Sequence, residues 1–347
     1  MSLEREQQLE EALARLPRVA LASVRPTPLE AMARLSSELG GPQLYIKRDD
    51  LTGLAFGGNK TRMLEFSLAD AQAQGADTIV TGAAVQSNYC RQMAAACAKL
   101  GLELHLVLRP TREVDTQEVQ GNHLLQRLFG ARVTVLPDFD ATKQGVALRE
   151  KAQELSAAGK RVYIPRQADT VDLDAIAYAE VALEIVRQCR TMRINPEYLY
   201  VAALDTTQAG LVLGFSYVRS PIQVRGVSPF EGVADRAENM ARIANQAAHR
   251  LKLDIQLSGR DFVNDDSYVG ERYAIPTPEG IQAIHLLAQN EGILIDPVYT
   301  SKAMAKLIAD VQSGQLDKQS PVLFMHTGGA PALFGYVREV MGSEAIG

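Results

Sequence analysis

The sequence predicts an α/β protein built as two subdomains, each a mostly parallel sheet covered by helices. Short β-branched segments alternate with helical segments of about 10 to 15 residues, the pattern of βαβ units. Helices close on Gly75, Gly101, Gly130 and Gly159, where the turn that ends a helix favours glycine. At about 150 residues per domain, the 347 residues leave room for two. Aromatic residues make up 6% with no Trp, while Ala and Gly are plentiful. That composition suits helices packed closely on sheets more than an all-β domain.

The elements follow in order. MSLEREQQLEEALARL is a charged helix, and Leu16–Pro28 is a Pro-punctuated arm on a domain surface. Gln43–Lys47 is a strand, followed by a Gly-rich loop from Leu51 to Arg62 and a helix from Thr61 to Gly75. Then come strand Asp77–Gly82, helix Ser87–Leu100, strand Glu103–Leu108, helix Asn122–Phe129, strand ARVTVLP, helix Ala141–Ala158 and strand RVYIP. A second set has helix Ile176–Cys189, strand Tyr198–Ala203, a helix opened by TTQAG, strand IQVRGVSP and the amphipathic helix Ala234–Leu251. Ser258–Tyr268 reads as a polar stretch before helix Glu279–Glu291 and the buried strand Pro321–His326.

Charge and cysteine usage exclude several classes. A net charge of -5 argues against a nucleic-acid or anionic-membrane surface. Cys90, Cys97 and Cys189 are too scattered for a disulfide framework and read as buried free thiols in a reducing cytosol. The five histidines are far apart, without HExxH or zinc spacing, so no metal site is expected. No run approaches the roughly 18 apolar residues of a membrane helix, and the N-terminus lacks the apolar core of a signal peptide. A soluble, cytoplasmic protein is expected.

The chemistry gathers at strand ends and helix starts. In GGNK, Gly57 to Lys60, glycines let the backbone approach a ligand and the following helix start attracts anions. The Walker pattern fails because Asn59 intervenes before Lys60 and Thr61. A lysine in such a pocket can serve as a Schiff-base nucleophile if burial lowers its pKa; taken alone, the motif favours a solvated surface lysine. Ser87 and Asn88 follow a strand and open a helix, a carboxylate site or simply an N-cap. TTQAG, Thr206 to Gly210, is a second anion loop of the same kind. DPVYTSKA and HTGGAPALFGY add a loop tyrosine and a Gly-rich strand end, in positions where α/β ligand sites gather.

Together KRDDLTGLAFGGNKTR, QSNYCRQ, TTQAG, DPVYTSKA and HTGGAPALFGY resemble the fold-type II pyridoxal-phosphate enzymes. Within them the sequence is most similar to the branch of the D-cysteine desulfhydrases and 1-aminocyclopropane-1-carboxylate deaminases, over roughly residues 17 to 340. The resemblance implies two open, twisted, mostly parallel sheets flanked by helices, as in the tryptophan synthase β fold, and pyridoxal 5'-phosphate as cofactor. Lys60 is implied to hold the cofactor as a Schiff base and to move the Cα proton. Asn88 is implied to bond the cofactor's phenolic oxygen, and Ser87 with neighbouring amides to receive the substrate carboxylate. Tyr299 is implied to stack on the pyridine ring and Thr327 to face its nitrogen. Thr206, Thr207, Gln208, Ala209 and Gly210 are implied to surround the phosphate. Tyr273 matches an active-site tyrosine, although its usual glycine neighbours are Arg272 and Ala274 here.

Thr300 and Thr327 stand where the deaminases carry Glu and Leu. Neutral hydroxyls by the ring nitrogen leave it less protonated, which suits elimination of a good β leaving group. The implied reaction is therefore α,β-elimination on a small amino acid such as D-cysteine, giving pyruvate, ammonia and sulfide. Another reaction on the same cofactor (deamination, cysteate sulfo-lysis or a specialised biosynthetic step) and a degenerate binder are the alternatives. Two departures concern the phosphate: relatives commonly carry glycine at Asp205 and lysine at Met63. Asp205 is expected to point away and cap the following helix; otherwise cofactor affinity is weakened or another basic side chain compensates. The expected domains are a large one from 1–63 and 171–347 and a small one, 64–170, inserted in it. The cleft between them would hold the site, with Lys60 at the join. The resemblance further implies a homodimer.

Overall fold

The computed structural model describes residues 2–342 and contains ten strands in two sheets. In chain order these are β1 (Leu29–Ala31), β2 (Leu44–Arg48), β3 (Thr78–Thr81), β4 (Glu103–Leu108), β5 (Arg132–Val135), β6 (Val162–Tyr163), β7 (Tyr198–Ala202), β8 (Gln223–Val227), β9 (Val263–Asp265) and β10 (Val322–His326). One sheet has the order β1-β2-β10-β7-β8-β9 and the other β5-β4-β3-β6. Every pairing is parallel except β1 with β2.

The helices are α1 (Ser2–Ala14), α2 (Ala33–Leu39), α3 (Asn59–Ala73), α4 (Asn88–Leu100), α5 (Val114–Gln117), α6 (Gly121–Leu128) and α7 (Ala141–Ala157). There follow α8 (Asp172–Met192), α9 (Thr206–Tyr217), α10 (Arg236–Leu251), α11 (Pro278–Glu291), α12 (Thr300–Gln312) and α13 (Val337–Met341). None among the described residues is long and apolar enough to cross a membrane. All three cysteines are buried free thiols.

Central strands are apolar along their length because both faces are covered; all five residues of β10, VLFMH, are buried. Helices α8 and α9 pack at very short range. A Cβ added at Gly210 would lie 2.1 Å from the Ala175 carbonyl, and one at Gly214 would lie 2.5 Å from the Ala182 Cβ. A buried ion-pair network then ties α3 to α8. Arg62 has no exposed surface and bonds Glu184 through Nη1 and Nη2, both at 2.9 Å, and Asp49 through Nη2 at 3.1 Å. Lys47 bonds Glu184 at 2.9 Å, and the Tyr178 hydroxyl donates to Asp49 at 2.8 Å. Removing one partner of such a network costs about 3–5 kcal/mol. Its consequence for function is positional, since it anchors the first turn of α3 two residues beyond Lys60.

The expected alternation is present, with differences at its margins. Helix α3 starts at Asn59 rather than Thr61, which places Lys60 inside the first turn. The arm before Pro28 leads into β1, and the polar stretch after Ser258 contains β9. Both are three-residue strands at the edges of the large sheet, too short and too polar (LEA and VND) to show a strand period.

Candidate active site

The loop before α3 is pressed against the rest of the cleft. Gly58 has φ 126°, and a Cβ there would lie 2.6 Å from the Gln92 side chain and 3.2 Å from the Thr327 carbonyl. The Asn59 amide donates to that carbonyl at 3.0 Å, and the Thr61 amide donates to Gln92 Oε1 at 2.7 Å. Helix α3 therefore starts fastened both to α4 and to the strand end that carries Thr327. This geometry presents Lys60 to a cavity of about 320 Å³. Ser87, Asn88, Thr207, Tyr273, Tyr299 and Thr327 line the same cavity.

Burial pushes the Lys60 amine down to about 8. The Arg166 guanidinium adds to the shift, while Asp174 and Asp205 oppose it. Its Nζ lies 3.5 Å from Met63 Sδ, one turn along the helix.

Ser87 caps α4, accepting from the Cys90 amide at 3.2 Å. Its own hydroxyl proton remains available to an anion at the helix start, where the macrodipole also favours negative charge. Asn88 is oriented by its neighbours. Its Oδ1 accepts from Arg91 Nη1 at 2.7 Å and from Asn122 Nδ2 at 2.8 Å. With the oxygen occupied, its Nδ2 is left as a donor without a partner among the described residues. Arg91 is wholly buried and also bonds Asn122 Oδ1 at 2.7 Å and the Gly57 carbonyl at 2.8 Å. Burial pulls this guanidinium down to about 9, because no carboxylate bonds it.

The Tyr273 and Tyr299 hydroxyls lie 2.5 Å apart, and Phe230 stacks on Tyr273 with ring centres 4.1 Å apart. Burial raises both phenols above their ordinary value, so both stay protonated at neutral pH. The turn into Tyr299 is built on Asp296, whose carboxylate accepts from the amides of Val298, Tyr299 and Thr300 and from the Thr300 hydroxyl at 2.7 Å. This corrects the expectation for Thr300. Its hydroxyl is buried on Asp296, and it is Asp296 and Thr327 that line the cleft.

At the start of α9, Asp205 caps the helix as expected, accepting from the Thr206 amide at 2.5 Å, but it does not point away: it lines the cleft, close enough for its charge to act on Lys60. Thr207 Oγ1 accepts from Asn59 at 3.2 Å. Three of the expected phosphate residues direct their side chains elsewhere. Gln208 donates to the Val263 carbonyl at 2.6 Å and accepts from Asn264, while Ala209 is core and Gly210 makes room for α8. Of these three, only backbone groups remain for a ligand.

The structure adds cleft residues that sequence reasoning missed: Arg109, Arg166, Phe230 and Asp296. Arg109 follows β4 at a strand end, a position that could have flagged it. Arg166 comes from a loop after the two-residue β6, with a left-handed φ of 63°, and no local signal announces it. A larger groove of about 810 Å³ runs between α1 and α8. Its charges already pair with one another, Arg18 with Glu180 at 2.9 Å and Arg187 with Glu10 at 2.8 Å, so it offers no comparable chemistry.

Two mostly parallel sheets with a cleft-lining lysine of lowered pKa, set between the starts of α4 and α9, make the frame of a cofactor-dependent α/β enzyme. The chain belongs to the pyridoxal-phosphate-dependent enzymes, whose family pattern matches residues 21–328. It is 42% identical over 337 residues to a D-cysteine desulfhydrase of Serratia proteamaculans, covering 96% of this chain and 99% of that one. It is 40% identical over 329 residues to a D-cysteine desulfhydrase of Salmonella typhi, covering 93% and 97%. A crystal structure of an ACC deaminase homologue superposes with a TM-score of 0.86 at 32% identity, covering 96% and 98%. The cofactor is pyridoxal 5'-phosphate, and the residues present fit it. Lys60 supplies the amine, Asn88 an uncommitted amide, and α9 a helix start. The buried Tyr89 hydroxyl, on a residue that lines the cleft, has no partner among the described residues.

Proposed function

We propose that this pyridoxal-phosphate lyase eliminates sulfide from D-cysteine. D-cysteine and one water give pyruvate, ammonia and hydrogen sulfide, a redox-neutral balance. The observation that carries the reading is a cleft holding Lys60, its pKa near 8, between the starts of α4 and α9, in a chain about 40% identical to D-cysteine desulfhydrases along nearly its whole length. When bound, the cofactor supplies an electron sink for charge developing at the substrate's Cα.

The chain's own residues then divide the remaining work. Lys60 holds the cofactor and afterwards moves the proton at Cα, a task suited to an amine whose pKa burial has brought near neutrality. Ser87 and the first amides of α4 receive the substrate carboxylate. Asn88 donates its Nδ2 to the cofactor's phenolic oxygen, held in that sense by Arg91 and Asn122. Tyr299 would lie against the ring, with Tyr273 bonded to it as a protonated phenol able to donate to a departing group. Thr327 would face the ring nitrogen as a neutral hydroxyl. The start of α9, at Thr206 and Thr207, would receive the phosphate.

The division into 1–63 with 171–347 and an inserted 64–170 is supported by the two sheets, whose strands come from those segments. We further propose that the enzyme acts in the cytoplasm as a homodimer, a reading supported by the resemblance to its family and by the lack of any membrane-crossing helix among the described residues. Purified protein given D-cysteine, L-cysteine or 1-aminocyclopropane-1-carboxylate tests the function. Equal sulfide and pyruvate from D-cysteine are expected. Keto acid from the cyclopropane substrate, without sulfide from either cysteine, would replace the proposal with a deaminase.

A further inference from the structure

We infer that Arg166 is the cation that holds the cofactor's phosphate in this chain, offsetting the carboxylate that Asp205 places at the start of α9. This rests on the reading that the cofactor occupies the cleft with its aldehyde carbon at Lys60.

The start of α9 is a contradictory anion site. Amides in a helix's first turn lack intrahelical acceptors and sit at the positive end of the dipole. Yet Asp205 already takes the Thr206 amide and lines the cleft with its own negative charge. A phosphate dianion beside a carboxylate in a partly desolvated cleft is repelled unless a cation stands between or beside them. Three cationic side chains line this cleft: Lys60, Arg109 and Arg166. Lys60 is committed to the aldehyde end. Arg109 leaves the end of β4, with Nη1 on the Phe139 carbonyl at 3.1 Å.

Arg166 sits at the α9 start itself, its Nη2 3.5 Å from the Thr206 hydroxyl. Its charge acts on Lys60, and the Asp205 carboxylate in turn stabilises the charged guanidinium. Its position is over-determined. Nε bonds the buried Asp174 carboxylate at 2.6 Å, and the guanidinium stands 4.6 Å from the centre of the Tyr89 ring. With Nε committed, the outer Nη edge remains as a fork of donors, the shape that matches two phosphate oxygens. The backbone at Arg166 has φ 63°, a region unfavourable to side chains other than Gly. Such strain at a cleft persists where the surroundings impose it, and it often marks function. The Tyr89 ring beneath the guanidinium helps fix its place, and the hydroxyl of the same residue has no partner among the described residues.

The test compares two ligands differing only in the phosphate. Pyridoxal 5'-phosphate and pyridoxal are titrated into the full-length chain freed of cofactor, wild type and Arg166→Gln, following absorbance and fluorescence. Wild type should prefer the phosphorylated ligand, and Arg166→Gln should cut that preference by about 10- to 100-fold, whereas the rise in the Lys60 pKa on losing the Arg166 charge weakens both ligands alike and leaves the ratio untouched. Raising salt should weaken the wild-type preference and barely move the variant's. An unchanged preference in Arg166→Gln overturns the inference and leaves the enzyme reading intact. Wild type binding neither ligand overturns both. Should Arg166→Gln not fold, Arg166→Lys carries the test. It keeps the charge and loses the fork, so an intermediate preference that still weakens with salt is expected, and a preference with no salt dependence in either wild type or this variant counts against the assignment.

Discussion

The starts of α4 and α9 both line the cleft, and they treat negative charge in opposite ways. At α4 a neutral hydroxyl, Ser87, makes the cap, and the adjacent Asn88 is backed by the buried Arg91 cation. At α9 a carboxylate, Asp205, makes the cap. Either cap contributes about 1 kcal/mol to its helix. They differ in what each end can bind. A neutral cap leaves the helix dipole and a hydroxyl proton to an incoming carboxylate. A charged cap spends the dipole internally, so a phosphate there depends on a cation supplied from another loop.

Lys60 belongs to neither helix start and gives the largest expected effect. Lys60→Ala should lower sulfide release from D-cysteine by at least about 10³-fold, with the urea unfolding midpoint nearly unmoved because both caps survive. Comparable turnover in that variant would exclude the lysine as the group that moves the proton.

The α4 side is next to break. Arg91→Met strips donors from the oxygens of Asn88, Asn122 and Gly57, and denaturant unfolding should show a loss of about 3 kcal/mol. A loss under about 1 kcal/mol would mean that the buried cation does not hold Asn88 in place.

The Lys60 amine links the two sides. In the cofactor-free chain its rate of reaction with pyridoxal should climb about tenfold per pH unit and level off above about 8. Removing the Arg166 charge should move the plateau to higher pH, since a neighbouring cation favours the neutral amine. A profile still rising toward pH 10 in wild type would contradict this environment.

Smaller effects sharpen the contrast between caps. Ser87→Ala should raise the KM for D-cysteine about tenfold with little change in kcat. Asp205→Asn keeps a capping oxygen and removes the charge, so cofactor affinity should tighten about 2- to 5-fold in a spectroscopic titration. Weaker binding in Asp205→Asn would mean that the carboxylate helps the phosphate rather than opposing it.

Sequence reasoning reached the framework because its signals are local. Glycine stops, β-branched runs and caps each act within a few residues. Asp205 before Thr206 was legible as a cap for the same reason. Long-range features were not. Arg166 arrives through a left-handed turn after the two-residue β6, and its partner Asp174 lies eight residues further on, in the next helix. Thr300 was expected beside the ring nitrogen, but its hydroxyl turns inward because Asp296 collects every donor of the turn. Gln208 to Gly210 follow a motif expected to surround phosphate, while their side-chain positions serve β9 and the α8–α9 contact.

The most direct measurement distinguishes Lys60 from another buried lysine. Burial also pushes Lys302 down to about 8, but Lys302 bonds the Val269 carbonyl at 2.6 Å and does not line the cleft. The holoenzyme is reduced with borohydride, digested and mapped by mass spectrometry. The cofactor's mass is expected on the peptide containing Lys60. Finding it on Lys302, or on no lysine, would contradict it.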